Sequence, residues 1–251
     1  MESLRTGISW IDDVIPEGLP LKSVTVITGS GGSGKPLIGE VFVTAWLRNG
    51  GSVIFMSLQY PGSEFITESI KSVTGLNIQD YKEKIIFLQL DTGISGYQEM
   101  NKHLIHANLV KPEVWEGVLN LASEKLPDEG PGILFFCSAL NLLLFSPTYG
   151  DVIFEKIKST IELNTTRTYL FSVSTSAKAE EISQLEKLAD NLIFSHSKKD
   201  PFRLFMKVLK IGGVPYDLPE TQVPISPDIL SHIKEMANHS RSKVLPAILK
   251  T

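Results

Sequence analysis

The sequence has very little cysteine and no long apolar run. Cys137 is the only cysteine among 251 residues, which excludes an internal disulfide and a zinc site built from several cysteines. Residues 1–5 carry no apolar run of the kind that a signal peptide needs. The longest apolar stretch, 132–145, is interrupted by Ser138 and Asn141 and is too short to cross a bilayer. We therefore expect a soluble, cytoplasmic protein that does not engage a membrane.

The sequence also lacks an excess of positive charge. It has 24 Lys and Arg against 28 Asp and Glu, which gives a formal net charge of −4. A surface built mainly to hold the phosphate backbone of a nucleic acid would need the opposite balance. Because 42% of the residues are hydrophobic, the composition indicates a globular protein with a full core, and its charge argues against nucleic acid as the main partner.

Predicted strands and helices alternate over most of the chain. Short β-branched runs bounded by turn residues predict strands at 24–28, 52–58, 85–90, 133–137 and 168–174. Helices are predicted between them, at 37–48, 64–74, 98–109, 113–125, 151–163 and 180–189. This alternation predicts right-handed crossovers and a mostly parallel, doubly wound α/β sheet. Strands predicted at 191–195, 202–211 and 222–225 follow without long helices, which indicates a C-terminal antiparallel extension.

No internal repeat or low-complexity linker divides the chain, so we predict one domain over 1–230 and a tail over 231–251. The tail combines basic residues with an apolar end at 244–249. Two interpretations of the tail stay open: a frayed terminal helix, and a segment that docks onto a partner protein or a second copy of the chain.

A glycine-rich segment lies between the first core strand and the helix that follows it. It consists of Gly29, Ser30, Gly31, Gly32, Ser33, Gly34, Lys35 and Pro36. Its spacing fits the pattern G-x-x-x-x-G-K-[ST], in which backbone N–H groups and the lysine bind phosphate and the final hydroxyl binds Mg²⁺. The last position departs from the pattern, because Pro36 has neither a hydroxyl nor a backbone N–H. We predict a folded phosphate loop that lacks one of its metal ligands.

Four further strings occur around this loop in a specific order. They are Thr6-Gly7-Ile8-Ser-Trp-Ile-Asp12, Gly18-Leu19-Pro20, Leu209-Lys210-Ile211-Gly212-Gly213 and Val223-Pro-Ile-Ser-Pro-Asp228. With the loop, they resemble the KaiC-like branch of the RecA-type ATPases, particularly its archaeal members, over roughly residues 5–230. The resemblance implies a RecA-like fold, an ATP site that uses Mg²⁺, and assembly into oligomers.

The resemblance fails at the positions that the family uses for catalysis. Gln59 and Tyr60 stand where the family has a pair of glutamates, and a glutamine can orient a water but cannot take its proton. Cys137 replaces the aspartate that holds Mg²⁺, and Gly212 replaces the arginine that reaches the neighbouring subunit's γ-phosphate. We interpret Cys137 as a buried core thiol, and Gln59 and Tyr60 as surface loop residues.

Together with Pro36, these substitutions predict a pseudo-ATPase with no catalytic residues and no metal site, which acts as a binding or regulatory module. Its expected partners are proteins, among them further copies of itself. One alternative is a sensor that binds ATP or ADP weakly through Lys35 without Mg²⁺, and whether a nucleotide binds at all stays open. Another is an accessory protein in DNA recombination or repair, with DNA-facing loops at 146–150 and 174–181. One lysine beside two glutamates in these loops argues against it.

Overall fold

A wide β-sheet runs through the middle of the molecule. The computed structural model describes residues 2–198, 202–217, 219–224 and 227–251. The strands are β1 (Ser3–Leu4), β2 (Leu19–Pro20), β3 (Val24–Thr28), β4 (Ser52–Ser57), β5 (Ile85–Leu90), β6 (Tyr97–Asn101), β7 (Leu104–Ala107), β8 (Ile133–Cys137), β9 (Thr168–Ser172), β10 (Asn191–Lys198), β11 (Arg203–Lys210) and β12 (Thr221–Val223). The helices are α1 (Ser9–Asp12), α2 (Lys35–Arg48), α3 (Ser63–Thr74), α4 (Pro112–Glu124), α5 (Gly150–Leu163), α6 (Ala179–Leu188), α7 (Pro227–His239) and α8 (Leu245–Ile248). Two 3₁₀ segments, Ile78–Lys84 and Leu140–Phe145, and a π-helical turn, Ser240–Val244, complete these elements.

The strand order has a parallel centre with antiparallel edges. Within the described residues, ten strands lie in the order β12-β11-β10-β3-β9-β8-β4-β5-β7-β6. The strands from β10 to β7 in this order run parallel to one another. At the edges the pairing is antiparallel: β11 pairs with β10, β12 pairs with β11, and β6 pairs with β7. The prediction of a mostly parallel α/β sheet with an antiparallel C-terminal extension is therefore confirmed.

Helices cover both faces of the sheet. In β4, Val53 and Phe55 belong to one apolar cluster, and Ile54 and Met56 belong to a second. Because successive side chains of a strand point to opposite faces, the two clusters lie on opposite sides of the sheet. The first cluster is covered by α2 and α3, and the second by α4, α5 and α6. No helix in the described ranges combines the length and apolar character that a membrane crossing needs.

The string that ends in Asp12 closes a local loop before the sheet begins. The carboxylate of Asp12 accepts the backbone N–H of Thr6 at 2.9 Å and that of Gly7 at 2.9 Å, and the hydroxyl of Thr6 at 2.8 Å. This arrangement explains the spacing of threonine, glycine and aspartate, because one carboxylate satisfies three donors that the turn into α1 would otherwise leave unpaired.

The helix predicted at 98–109 is wrong. This segment forms the hairpin of β6 and β7, in which the Oδ1 atom of Asn101 accepts the backbone N–H of His103 at the turn. In β7, buried Ile105 and Ala107 alternate with more exposed neighbours, a period of two that is typical of a strand. The strand predicted at 222–225 is shorter than expected, at Thr221–Val223, and residue 225 lies outside the described residues.

The predicted tail is helical, and its apolar end packs within its own chain. Met236 of α7 is 2% exposed and belongs to the cluster beside α2 and α3. Ile248 of α8 is fully buried in the cluster on the opposite side of the sheet. The tail is therefore helical and anchored on its own chain by Met236 and Ile248, whereas Leu249 at the apolar end is 50% exposed, and docking of the tail onto a partner stays a prediction.

Candidate functional site

The topology brings several loops together at the edge of the sheet that is formed by the carboxyl ends of its parallel strands. The parallel strands β3, β4, β8 and β9 all end at this edge, and open α/β sheets bind ligands outside the carboxyl ends of such strands. The glycine-rich loop follows β3, Gln59 follows β4, Asn141 follows β8, and Ser176 follows β9. Residues that are far apart in the sequence therefore line one pocket.

The loop has a backbone that only glycine adopts without strain. Gly29, Gly32 and Gly34 have φ angles of +147°, +75° and +76°. A Cβ atom on Gly29 would lie 2.0 Å from the carbonyl oxygen of Ser195, and one on Gly34 would lie 2.4 Å from Cδ1 of Leu204. Gly34 is thus required by its backbone conformation, and Gly29 both by conformation and by the close approach of the backbone of β10.

Lys35 is held inside the loop by neutral oxygens. Its Nζ donates to the carbonyl oxygens of Gly29 at 2.9 Å and Ser30 at 2.6 Å, and to the Oγ of Ser33 at 3.2 Å. The residue is 6% exposed, and desolvation by burial lowers the pKa of its ammonium group to about 8. The ammonium is therefore charged at neutral pH and has no carboxylate partner among the described ion pairs.

Some loop groups already have protein partners. The N–H of Gly31 donates to the Oγ of Ser176 at 2.8 Å, and the Oγ of Ser195 donates to the carbonyl oxygen of Ser33 at 2.8 Å. Pro36 lies in the first turn of α2, where the N–H groups have no partners within the helix. Proline therefore destabilises α2 little, but it removes one backbone N–H donor from the N-terminal end of the helix, which faces the phosphate site.

The pocket at this edge encloses about 330 Å³. It is lined by residues 31–36, by Gln59, Asn141, Ser174 and Ser176, and by Ser240 and Arg241 from the C-terminal end of the chain. Lys35 and Arg241 are its charged residues, and no Asp or Glu belongs to this lining within the described part of the chain. The Nε2 atom of Gln59 is buried without a hydrogen-bond partner among the described residues, so it is a free donor. The pocket is suited to an anion.

The positions at which this chain departs from the family pattern have different surroundings. Gln59 lines the pocket beside Pro36, whereas Cys137 is fully buried in the core, where desolvation raises the pKa of its thiol well above the ordinary value. Gly212 follows β11, and its N–H donates to the Oδ1 of Asn191 at 3.0 Å, at the start of β10. Because β10 is parallel to β3, Gly212 lies at the opposite edge of the sheet and cannot reach the pocket of its own chain.

Tyr60 is not the surface residue that the sequence indicated. It is 3% exposed, and its hydroxyl donates to the Oε1 of Glu40, a fully buried residue of α2, at 2.7 Å. The Oγ of Ser69 donates to both carboxylate oxygens of Glu40, at 2.9 and 2.8 Å. Desolvation raises the pKa of Glu40 to about 7, partly offset by these hydrogen bonds. Glu40 had no signal in the sequence, since both of its partners lie on other elements.

The residues at this site do not suit the Mg²⁺ that the family resemblance implies. Mg²⁺ prefers hard oxygen ligands, chiefly carboxylates. Pro36 offers no hydroxyl, Cys137 offers a buried protonated thiol, and no carboxylate belongs to the pocket lining that the structure describes. Within the described residues, no group of three or more His, Cys, Asp or Glu could hold a metal ion. A nucleotide polyphosphate, by contrast, fits the glycine backbone, Lys35 and the free donor of Gln59.

The loop geometry and the parallel sheet define a RecA-type P-loop fold. Residues 4–117 match the family described as the KaiC ATPase. A UPF0273 protein from Aeropyrum pernix is 24% identical over 195 residues, which is 77% of each chain. A UPF0273 protein from Methanopyrus kandleri is 28% identical over 110 residues, and this match spans only 42% of each chain.

Two further similarities involve proteins whose names contain KaiC. The circadian clock protein KaiC2 from Synechocystis is 31% identical over 109 residues, which is 42% of this chain and 19% of that protein. The crystal structure of a KaiC-like protein from Pyrococcus horikoshii superimposes with a TM-score of 0.67 at 14% identity, covering 90% of this chain and 96% of the other. Residues 4–117 of this chain therefore match the KaiC ATPase family, and the fold is that of a KaiC-like protein, in agreement with the resemblance.

Proposed function

We propose that this chain is a KaiC-like pseudo-ATPase, which acts as a binding or regulatory module without hydrolysing ATP. The proposal rests chiefly on one observation: the pocket that contains the phosphate loop has no carboxylate in its described lining. Gln59 occupies the place after β4 where the resemblance implies a proton-accepting glutamate. Its expected partners are proteins, among them further copies of the chain.

The size of the missing catalytic effects supports this proposal. General-base catalysis contributes about 10²–10⁴ to a rate. An arginine finger contributes about 10³–10⁵ in phosphoryl transfer. Gln59 cannot replace the base, and Gly212 cannot replace the finger in any neighbouring subunit. Catalysis in this class is mainly positioning and electrostatics, so little remains from which turnover could be built.

The direct test is phosphate release from ATP by the purified protein with Mg²⁺ or Mn²⁺. We expect a rate at the background of the Lys35→Ala variant. Turnover that disappears in that variant would contradict the proposal, because it would have to come from the phosphate loop.

A second candidate function is a weak nucleotide sensor that works without Mg²⁺. The specific observation in its favour is that the lining, among the described residues, has two cations and no acid, so that no metal ion is needed to offset the charge of a polyphosphate. The expected result is a thermal shift with ATP that is the same in EDTA and in Mg²⁺, and that is lost in Lys35→Ala. A shift that grows markedly when Mg²⁺ is added would contradict this candidate.

The contacts of the two candidate DNA-binding loops give no support to a role in DNA recombination or repair. In the loop after β9, the Nζ of Lys178 forms an ion pair with Glu181 at 3.4 Å. In the loop before α5, the Oγ of Ser146 accepts the hydroxyl of Thr251 at 3.0 Å. Filter binding of single-stranded DNA over a salt series tests this alternative, and we expect no retention at moderate salt.

A further inference from the structure

The C-terminal end of the chain crosses the edge of the sheet at which the phosphate loop lies. Its two ends are fixed on opposite faces, since Met236 packs beside α2 and α3, and Ile248 packs beside the helices of the other face. The hydroxyl of Thr251 donates to the Oγ of Ser146 and also contacts the carbonyl oxygen of Ile248. The crossing piece between these anchors is the π-helical turn Ser240–Val244.

This turn makes little contribution to the core. None of its five residues is buried, whereas the segments on both sides contribute fully or nearly fully buried side chains. π-Helical turns are rare and occur frequently at functional sites. Here the turn places Ser240 and Arg241 in the lining of the phosphate-loop pocket, and Leu245 just after it lines the same pocket. The π-helical turn therefore lies at the pocket.

The charge of Arg241 is not used elsewhere in the described structure. The side chain is exposed, and no carboxylate among the described residues forms an ion pair with it. A guanidinium group is planar, permanently charged and well suited to bidentate contacts with phosphate oxygens. With Lys35, it gives the pocket two cations and no opposing charge among its described lining residues.

We infer that Arg241 is a polyphosphate-binding residue, which the chain supplies to its own phosphate loop through the C-terminal segment. This inference rests on the nucleotide-binding candidate proposed above and adds the residue that binds the phosphate chain opposite Lys35. Gly212 leaves the chain without the arginine that the family presents to a neighbouring subunit, and Arg241 provides a guanidinium group within the same subunit instead.

The test compares Arg241→Ala with Lys243→Ala in the full-length protein. Lys243 belongs to the same turn and carries the same charge, but it lines a separate pocket beside Tyr60 and Gln89. Binding of ATP and of inorganic tripolyphosphate is measured by calorimetry in EDTA at fixed salt. Because hydrogen bonds to charged groups are strong, we expect Arg241→Ala to weaken both ligands at least tenfold and Lys243→Ala to change them less than about twofold. Unfolding midpoints should match the wild type, since both side chains are exposed.

Each outcome separates the claims. An equal loss of affinity in the two variants would indicate general electrostatic attraction and would overturn the role of Arg241. Binding of ATP to the wild type would in that case still support the proposed nucleotide sensor. Unchanged binding in Arg241→Ala would overturn the inference in the same way. No binding of either ligand to the wild type would overturn both the inference and the nucleotide candidate. Loss for ATP with none for tripolyphosphate would place Arg241 away from the phosphate chain and would also overturn the inference.

Discussion

The buried carboxyl group of Glu40 makes a measurable prediction about stability. Glu40 is fully buried between α2 and α3, and its pKa is raised from 4.5 to about 7 by desolvation. A carboxyl group whose pKa is higher in the folded state stabilises the fold while it is protonated. That stability is present below about pH 4.5 and is lost as the pH rises through 7. Integration of this linkage between pH 5 and pH 8 gives a loss of about 2.5 kcal/mol from this one group.

Glu40→Gln removes the titration while it keeps the shape of the side chain. The free energy of unfolding of the variant, relative to the wild type, should therefore rise by about 2.5 kcal/mol between pH 5 and pH 8. The quantity to follow is how the difference in unfolding free energy between variant and wild type changes with pH. The amide also alters the hydrogen bonds with Tyr60 and Ser69, and this adds a constant free energy at every pH.

Urea unfolding followed by tryptophan fluorescence at four pH values from 5 to 8 provides the measurement. Glu124→Gln is the matched control, since Glu124 is exposed at the end of α4 and lies outside the buried cluster. A Glu40→Gln variant that differs from the wild type by the same amount at every pH would refute the reasoning. It would mean that Glu40 is ionised in the folded state at pH 5.

Three further predictions concern the loop and the tail. ATP binding in EDTA should weaken as the pH rises from 7 to 9, because Lys35 loses its proton with a pKa of about 8. A constant ATP affinity in calorimetry over this pH range would contradict this role of the ammonium. Gly29→Ala should destabilise the fold by more than about 2 kcal/mol, since its Cβ would overlap the carbonyl of Ser195. Gly32→Ala is the control, because its Cβ would meet open space, and it should cost about 1 kcal/mol when both variants are unfolded with urea. Deletion of residues 240–251 should lower the unfolding midpoint, because it removes buried Ile248. The mass of the assembly in light scattering should be that of the full-length protein, less the deleted residues. A smaller assembly with unchanged stability would contradict the packing of the tail within one chain.

The centre of the fold was predictable because its signals are local. Interior parallel strands are buried on both faces, so short β-branched runs such as β3 and β8 stand out in the sequence. The hairpin of β6 and β7 was not predictable by the same rule. All five residues of its outer strand are exposed and show no alternation of apolar and polar residues, and the segment therefore fits a helical pattern equally well.

The pocket was predictable only in part. The glycine loop and Gln59 follow from a motif and from the end of a strand, whereas Tyr60 packs in the apolar cluster with its hydroxyl bonded to Glu40, which lies 20 residues earlier on another element. Arg241 reaches the pocket through a crossing that depends on the packing of Met236 and Ile248 on opposite faces. Such long-range packing has no local signal in a single sequence.

A crystal structure grown with ATP and Mg²⁺ tests the central claim most directly. We predict an intact triphosphate on the loop between Lys35 and Arg241, with no metal ion beside Pro36 or Cys137. ADP in the pocket, or an Mg²⁺ ion coordinated by protein groups at the loop, would contradict the account of a metal-independent site that does not hydrolyse its ligand.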